Sequence, residues 1–236
     1  VDVSATQNQG YPADPAMEAA QTFAKHLSEA GITVDGEPTR AAASGSAREV
    51  ASVSSAPLSD ILALSLKTSD NTMTEVEGRL VAVHAKQSAD FAGASKAVIA
   101  QLGKDGFDTS GLTLLDASGL AKGNKVPARL LAQILAKAAG GEGGSAGRTL
   151  IADLPVAALD GTLTNRLHDT TAAGTVRAKT GSLERTSSLA GVVTTADGRL
   201  LAFSILANDF PANGGGAAAA VIDSHFVAPL ASCGCS

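Results

Sequence analysis

This chain has no tryptophan, and aromatic side chains make up only 3% of it. Large rings therefore cannot fill its interior, and the 44% of residues that are hydrophobic are supplied mainly by Ala, Val, Leu and Ile. Close packing through small side chains is the expected consequence. No apolar run approaches the roughly 20 residues needed to span a bilayer, and Val1 to Gln9 has neither the basic start nor the apolar stretch of a secretory leader. Cysteine is confined to Cys233 and Cys235, with no third or fourth ligand placed to complete a zinc site. The two read equally as tail thiols, as a local disulfide or as partners of cysteines elsewhere, so they assign no compartment by themselves. Positive charge is not concentrated anywhere: 18 Lys and Arg are dispersed against 23 Asp and Glu, for a net charge of −5. That distribution speaks against nucleic acid as a partner. His26, His84, His168 and His225 have no local acid at triad-like spacing, so packing explains them better than His-based hydrolysis.

What is present suffices for a sizeable core, since 236 residues can form one compact domain with an excursion or two domains. Asp14-Pro15 offers an N-cap and a first-turn proline ahead of Met17, Ala20, Phe23, Ala24 and Leu27, and Gly31 offers a stop, which predicts a helix. Gly31 to Thr39 reads as a short strand. Further helices are expected from Pro57 to Thr68-Ser69, from Asn71–Thr74 through Val83, from Asp90 to Leu102, and from Val126 to Ala139, the last closed by a glycine-rich loop over Gly140 to Gly147. Beyond it Thr175 to Ala178, Ser188 to Thr195 and Arg199 to Ala207 are rich in Val, Leu, Ile and Phe. With Asp197-Gly198 as a hairpin turn, they predict three adjacent antiparallel strands. Ala217 to Pro229 suits a helix packed on that sheet. The expected organisation is an exit from an upstream or inserted segment over residues 1–13, a domain over 14–232 with 57–139 mostly helical and 175–207 in the sheet, and a tail over 233–236.

Two short motifs carry chemistry. Ser69-Asp70-Asn71 sits at a junction between predicted helices, where a loop presents a hydroxyl beside a carboxamide; taken alone, it reads first as ordinary capping, with Ser69 or Asp70 as the N-cap of the following helix. Lys179-Thr180-Gly181-Ser182 lies in the first predicted strand. A surface lysine on an edge strand ending at a glycine bulge is the ordinary account. The chemical account is an anion site made by a strand lysine beside a hydroxyl, with Gly181 letting a ligand backbone pass close.

In this order the two motifs resemble the S-D-N and K-T-G signatures of penicillin-binding proteins and serine β-lactamases. Asp116-Ala117-Ser118-Gly119-Leu120, Asp160-Gly161-Thr162-Leu163 and Arg177 to Leu183 narrow the resemblance to the D-alanyl-D-alanine carboxypeptidase/endopeptidase family of low-molecular-mass class C penicillin-binding proteins, over roughly Asp14 to Ala207. The resemblance implies an α/β (α+β) fold of the β-lactamase/transpeptidase-like type, an antiparallel sheet covered by helices beside a mostly helical region. It implies that Ser69, Asn71 and Lys179 are catalytic: Ser69 passes a proton between a catalytic lysine and the leaving amine, and Asn71 holds the substrate peptide. Lys179 and Thr180 would hold the terminal carboxylate, Gly181 would border the substrate, and the Ser182 N–H would supply half of an oxyanion hole. Lys122 stands where relatives with an S-G-L-S-R stretch have arginine, and is either a contact to the peptide's acidic diamino-acid end or a solvated lysine. Peptidoglycan peptides and β-lactam antibiotics are the implied partners, no metal or other cofactor is implied, and the location is extracytoplasmic.

Acyl transfer through serine needs a base within reach, which S-x-x-K provides on one helical face. No serine here has a lysine three residues on. The resemblance places the nucleophile before Val1, so the chain is expected to be a C-terminal part, inactive alone, with the remaining portion as an upstream segment or a separate chain. A serine β-lactamase and a non-catalytic cell-wall peptide-binding module are the rival expectations.

Overall fold

The structure, a computed structural model, describes residues 13–42 and 44–234. The chain divides into two compact units, residues 2–55 and residues 56–236. In the first, helix α1 (Pro15–Glu29) begins where the sequence predicts, with the Asp14 carboxylate accepting the Met17 N–H at 3.2 Å. The strand expected over Gly31 to Thr39 does not form. Ile32 and Val34 are exposed and the segment is extended coil. An apolar alternation without a second strand to share its hydrogen bonds has nothing to stabilise a ladder.

The second unit opens with a helical region: α2 (Leu58–Thr68), α3 (Asn71–His84), α4 (Phe91–Lys104), α5 (Ala128–Ala139) and α6 (Gly144–Asp153). Asp70 and Asp90 cap α3 and α4, accepting from Met73 N at 2.9 Å and Gly93 N at 2.7 Å. The sequence reading of Gly140 to Gly147 as a loop is corrected by α6. Gly147 lies so close to α5 that a Cβ there would sit 2.9 Å from Ala138 Cα. These glycines serve a tight helix-helix contact, which overrides their low helix propensity.

Three antiparallel strands follow in the order β1-β2-β3: β1 (Val176–Leu183), β2 (Thr186–Thr194) and β3 (Leu200–Asn208). The Asp197-Gly198 turn closes β2 onto β3, with Gly198 N donating to Thr195 O at 2.9 Å. Val192 and Val193 point to opposite faces of β2 and both are buried, so the sheet is covered on both sides. One face carries the main core, in which Val176, Ala178, Leu189, Val193 and Phe203 pack with Leu163, Leu167, Ile222 and Val227. Helix α5 packs on β3 and β2 with Leu130, Leu135 and Ala138 buried.

The single C-terminal helix expected over Ala217 to Pro229 is instead α7 (Gly215–Val221), a π-helical stretch Ile222–Val227 and α8 (Ala228–Ser232). Pro229 has no N–H to continue an α ladder, which accounts for the widened turn before it. Cys233 is disulfide-bonded and Cys235 lies outside the described residues. The π-helical stretch is fixed by Asp223, whose carboxylate accepts Arg166 Nε at 2.9 Å and Nη2 at 2.6 Å, with both side chains less than a fifth exposed. Removing one partner leaves the other largely desolvated and unpaired. Arg166→Ala is therefore expected to destabilise the fold by about 2 to 3 kcal/mol, read as a lowered thermal midpoint. Arg166→Lys should restore only part of the loss, because one ammonium cannot reproduce the fork.

Candidate active site

Helix α2 ends at Ser69, which adopts the left-handed conformation (φ 56°, ψ 46°) while its N–H still bonds Ser65 O. A residue with a Cβ costs roughly 1–2 kcal/mol in that region, so the turn is held by its surroundings. Asp70 then caps α3, leaving the Ser69 hydroxyl as the group the junction presents. It accepts a hydrogen bond from Lys179 Nζ at 2.6 Å, across 110 residues of sequence. Lys179 also donates to Thr180 O at 3.0 Å and makes no ion pair among the described residues. Burial without a carboxylate partner pushes its pKa below the ordinary lysine value.

Lys179 belongs to β1, an edge strand of the sheet. The first part of its outer edge is covered, with Ala178 N donating to Pro155 O at 2.9 Å and Ala157 N donating to Val176 O at 3.0 Å. By the alternation of a strand, the N–H groups of Thr180 and Ser182 face the same side as that of Ala178, further along that edge. Thr180 Oγ1 meets Thr162 Oγ1 at 3.0 Å. A Cβ on Gly181 would crowd the Ser188 hydroxyl of β2, the free end of a side chain. Asn71 opens α3 half-buried, and among the described residues its side chain makes no hydrogen bond to Ser69 or Lys179.

Two residues with no role in the sequence reading stand beside this pair. Lys67 Nζ donates to Leu154 O at 2.8 Å and to Asp160 Oδ2 at 2.7 Å, and Asp160 Oδ1 accepts from Val156 N at 2.7 Å. Burial raises the Asp160 pKa, but the Lys67 ammonium and the Val156 N–H outweigh it and hold the carboxyl below its ordinary 3.8. Because the folded value is depressed, the stabilisation is complete above the unfolded value and is lost as pH falls through the folded one. A pH titration of thermal stability should show this contact failing only below pH 3.8, and Asp160→Asn should flatten that acid limb.

The Asp116 to Leu120 segment is a loop held by two buried carboxylates. Asp116 accepts Gly119 N at 2.9 Å, Ala121 N at 2.6 Å and Asn124 Nδ2 at 2.7 Å. Glu75 of α3 accepts Ala117 N at 3.1 Å and Ser118 N at 2.8 Å. The loop is thus fastened to the helix that Asn71 begins. Lys122, in the same loop, is exposed and has no contact with Ser69 or Lys179 among the described residues. Sequence reasoning passed over Glu75; its one available signal was a carboxylate four residues after Asn71, on the first turns of the same helix.

A profile of the D-Ala-D-Ala carboxypeptidase 3 (S13) family matches residues 5–226. The chain is 40% identical to carboxypeptidase DacB of Mycolicibacterium smegmatis over 227 residues, covering 94% of this chain and 47% of that protein. It is 39% identical to carboxypeptidase Rv3627c of Mycobacterium tuberculosis over 215 residues, covering 89% and 45%. The chain spans about half the length of these curated relatives. Among solved structures, penicillin binding protein 4 (dacB) of Haemophilus influenzae, complexed with a β-lactam, superposes with a TM-score of 0.72 at 32% identity over 80% of this chain and 44% of that one. A predatory endopeptidase of Bdellovibrio bacteriovorus, Bd0816, shares the fold at a TM-score of 0.60 and 17% identity, over 97% of this chain and 59% of that one.

Proposed function

Because the chain belongs to the D-Ala-D-Ala carboxypeptidase 3 (S13) family, we propose that it forms one side of the active site of a serine DD-peptidase acting on peptidoglycan stem peptides or cross-links through an acyl-enzyme. Its helices and antiparallel sheet have the transpeptidase-like arrangement of its structural neighbours. The observation that carries the proposal is the Lys179–Ser69 contact at the outer edge of β1. A peptide ending in D-Ala-D-Ala would lie along that edge, its terminal carboxylate drawn to the Lys179 ammonium and the Thr180 hydroxyl. Its scissile carbonyl would then come under the Ser182 N–H, which faces outward by the alternation of β1 and would stabilise the developing oxyanion. Ser69 would relay a proton between the catalytic lysine and the departing D-alanine amine, and Asn71 would hold the substrate amide. β-Lactams carry a carboxylate of similar placement and would enter by the same route.

The nucleophile is assigned to an S-x-x-K segment outside these 236 residues, since none occurs within them. A stripe on α3, Val76, Leu80 and Val83, is more than half exposed and supports a covering segment there. An extracytoplasmic location follows from a cell-wall substrate and suits the disulfide at Cys233; no described helix is long and apolar enough to cross a membrane. The test is release of D-alanine from a peptide ending in Lys-D-Ala-D-Ala by the complete protein. Release that is blocked by penicillin supports the proposal, and a folded complete protein that neither releases D-alanine nor cuts a cross-linked dimer overturns it.

A further inference from the structure

We infer that Lys67 and Asp160 are positioning residues, a clasp that fixes the Ser69 hydroxyl against Lys179 by tying the end of α2 to the segment that edges β1. The inference rests on the DD-peptidase reading. Lys67 stands two residues before Ser69, and its ammonium reaches Leu154 O at 2.8 Å and Asp160 Oδ2 at 2.7 Å, 87 and 93 residues away. Both oxygens of Asp160 are engaged, the second by Val156 N at 2.7 Å. Val156 bridges Arg177 of β1, and its neighbours Pro155 and Ala157 bond Ala178 and Val176. Two residues after Asp160, Thr162 meets Thr180 Oγ1 at 3.0 Å. The contacts close a ring running from Ser69 through Lys67, Asp160, Thr162, Thr180 and Lys179 back to Ser69.

An isolated ion pair this exposed, 25% for Lys67 and 41% for Asp160, contributes about 0–1 kcal/mol. Its value here is geometric. Gly161 between the clasp and Thr162 has φ +55°, and a Cβ on it would lie 2.8 Å from Lys67 O and 3.2 Å from Pro155. The backbone of the edging segment therefore sits directly on the last turn of α2. Without the clasp, the Ser69–Lys179 contact would rest on its own hydrogen bond and on the packing of Gly161 against the last turn of α2, while Ser69 sits in an unfavourable backbone region. A proton relay is sensitive to displacements of this kind.

The experiment measures the second-order rate of acylation of the complete protein by a fluorescent penicillin, with thermal midpoints recorded in parallel. Lys67→Met should lower the rate about 10- to 100-fold, up to the loss that a displacement of about 1 Å at a catalytic group causes. Lys67→Arg, which keeps a cation and several donors, should recover most of it. In a Ser69→Ala background, Lys67→Met should cost less than about threefold more, because the residue acts through Ser69. Asp160→Asn, which conserves size, takes the place of Lys67→Met in the same cycle if the latter does not fold. Acylation of Lys67→Met within about twofold of the parent, or an equal loss with and without Ser69, overturns the clasp. A parent protein that forms no adduct at all overturns the DD-peptidase reading itself, which is a separate result.

Discussion

Lys179→Ala in the complete protein is expected to slow acylation by both a D-Ala-D-Ala peptide and a penicillin by about 10²- to 10³-fold, while leaving the thermal midpoint unchanged or higher. The two halves of the expectation come from one feature, a largely buried ammonium with no carboxylate beside it among the described residues. An unpaired buried charge opposes folding, so its removal relieves the protein. The same charge anchors the substrate carboxylate, and losing one partner of a desolvated pair costs about 2 to 5 kcal/mol. At 1.36 kcal/mol per tenfold, that matches the rate loss. Peptide and penicillin should fall together, because they share the carboxylate and not the leaving group. A loss confined to one of them, or near-normal acylation of both, contradicts the role given to Lys179.

Asp116→Ala should produce the largest loss of stability among the single substitutions considered, about 3 to 5 kcal/mol. Asp116 is only 2% exposed, and its carboxylate is the acceptor for two backbone N–H groups and the Asn124 amide. The loss of three bonds to a buried carboxylate, each worth about 1–3 kcal/mol, sets the scale, and alanine supplies no acceptor. The loop would lose its internal ties while Glu75 still holds it to α3 through Ala117 N and Ser118 N. Hydrogen exchange should therefore show lost protection at Gly119 and Ala121 first, with a thermal midpoint lowered by about 10 °C. Unchanged exchange at those amides would mean that Asp116 is dispensable to the loop. Asp116→Asn should be milder, since one oxygen still accepts.

The layout of the molecule was legible wherever local signals agreed with tertiary demands. Leu58, Ile61 and Leu62 mark α2, Asp70 and Asp90 cap the next two helices, and Asp197-Gly198 turns β2 into β3. The sequence failed where a distant partner decided the outcome. Gly147 became helical because Ala138 lies against it, and Gly31 to Thr39 stayed coil, with no strand beside it among the described residues. At the site, Ser69 and Lys179 could be joined by their motifs, which carry spatial information that spacing does not. Glu75 and Lys67 could not, because a helix carboxylate and a helix lysine look alike whether they face solvent or a partner 42 or 93 residues away.

The central claim is that these residues are the relay and anchoring side of a site whose nucleophile lies outside the 236 residues. The most direct test is intact-mass analysis with peptide mapping after penicillin treatment of this chain and of the complete protein. The account predicts one adduct on the complete protein alone, on a serine with a lysine three residues after it and outside residues 1–236. An adduct on any serine within this chain, Ser69 included, would contradict it, as would a folded complete protein that takes up none.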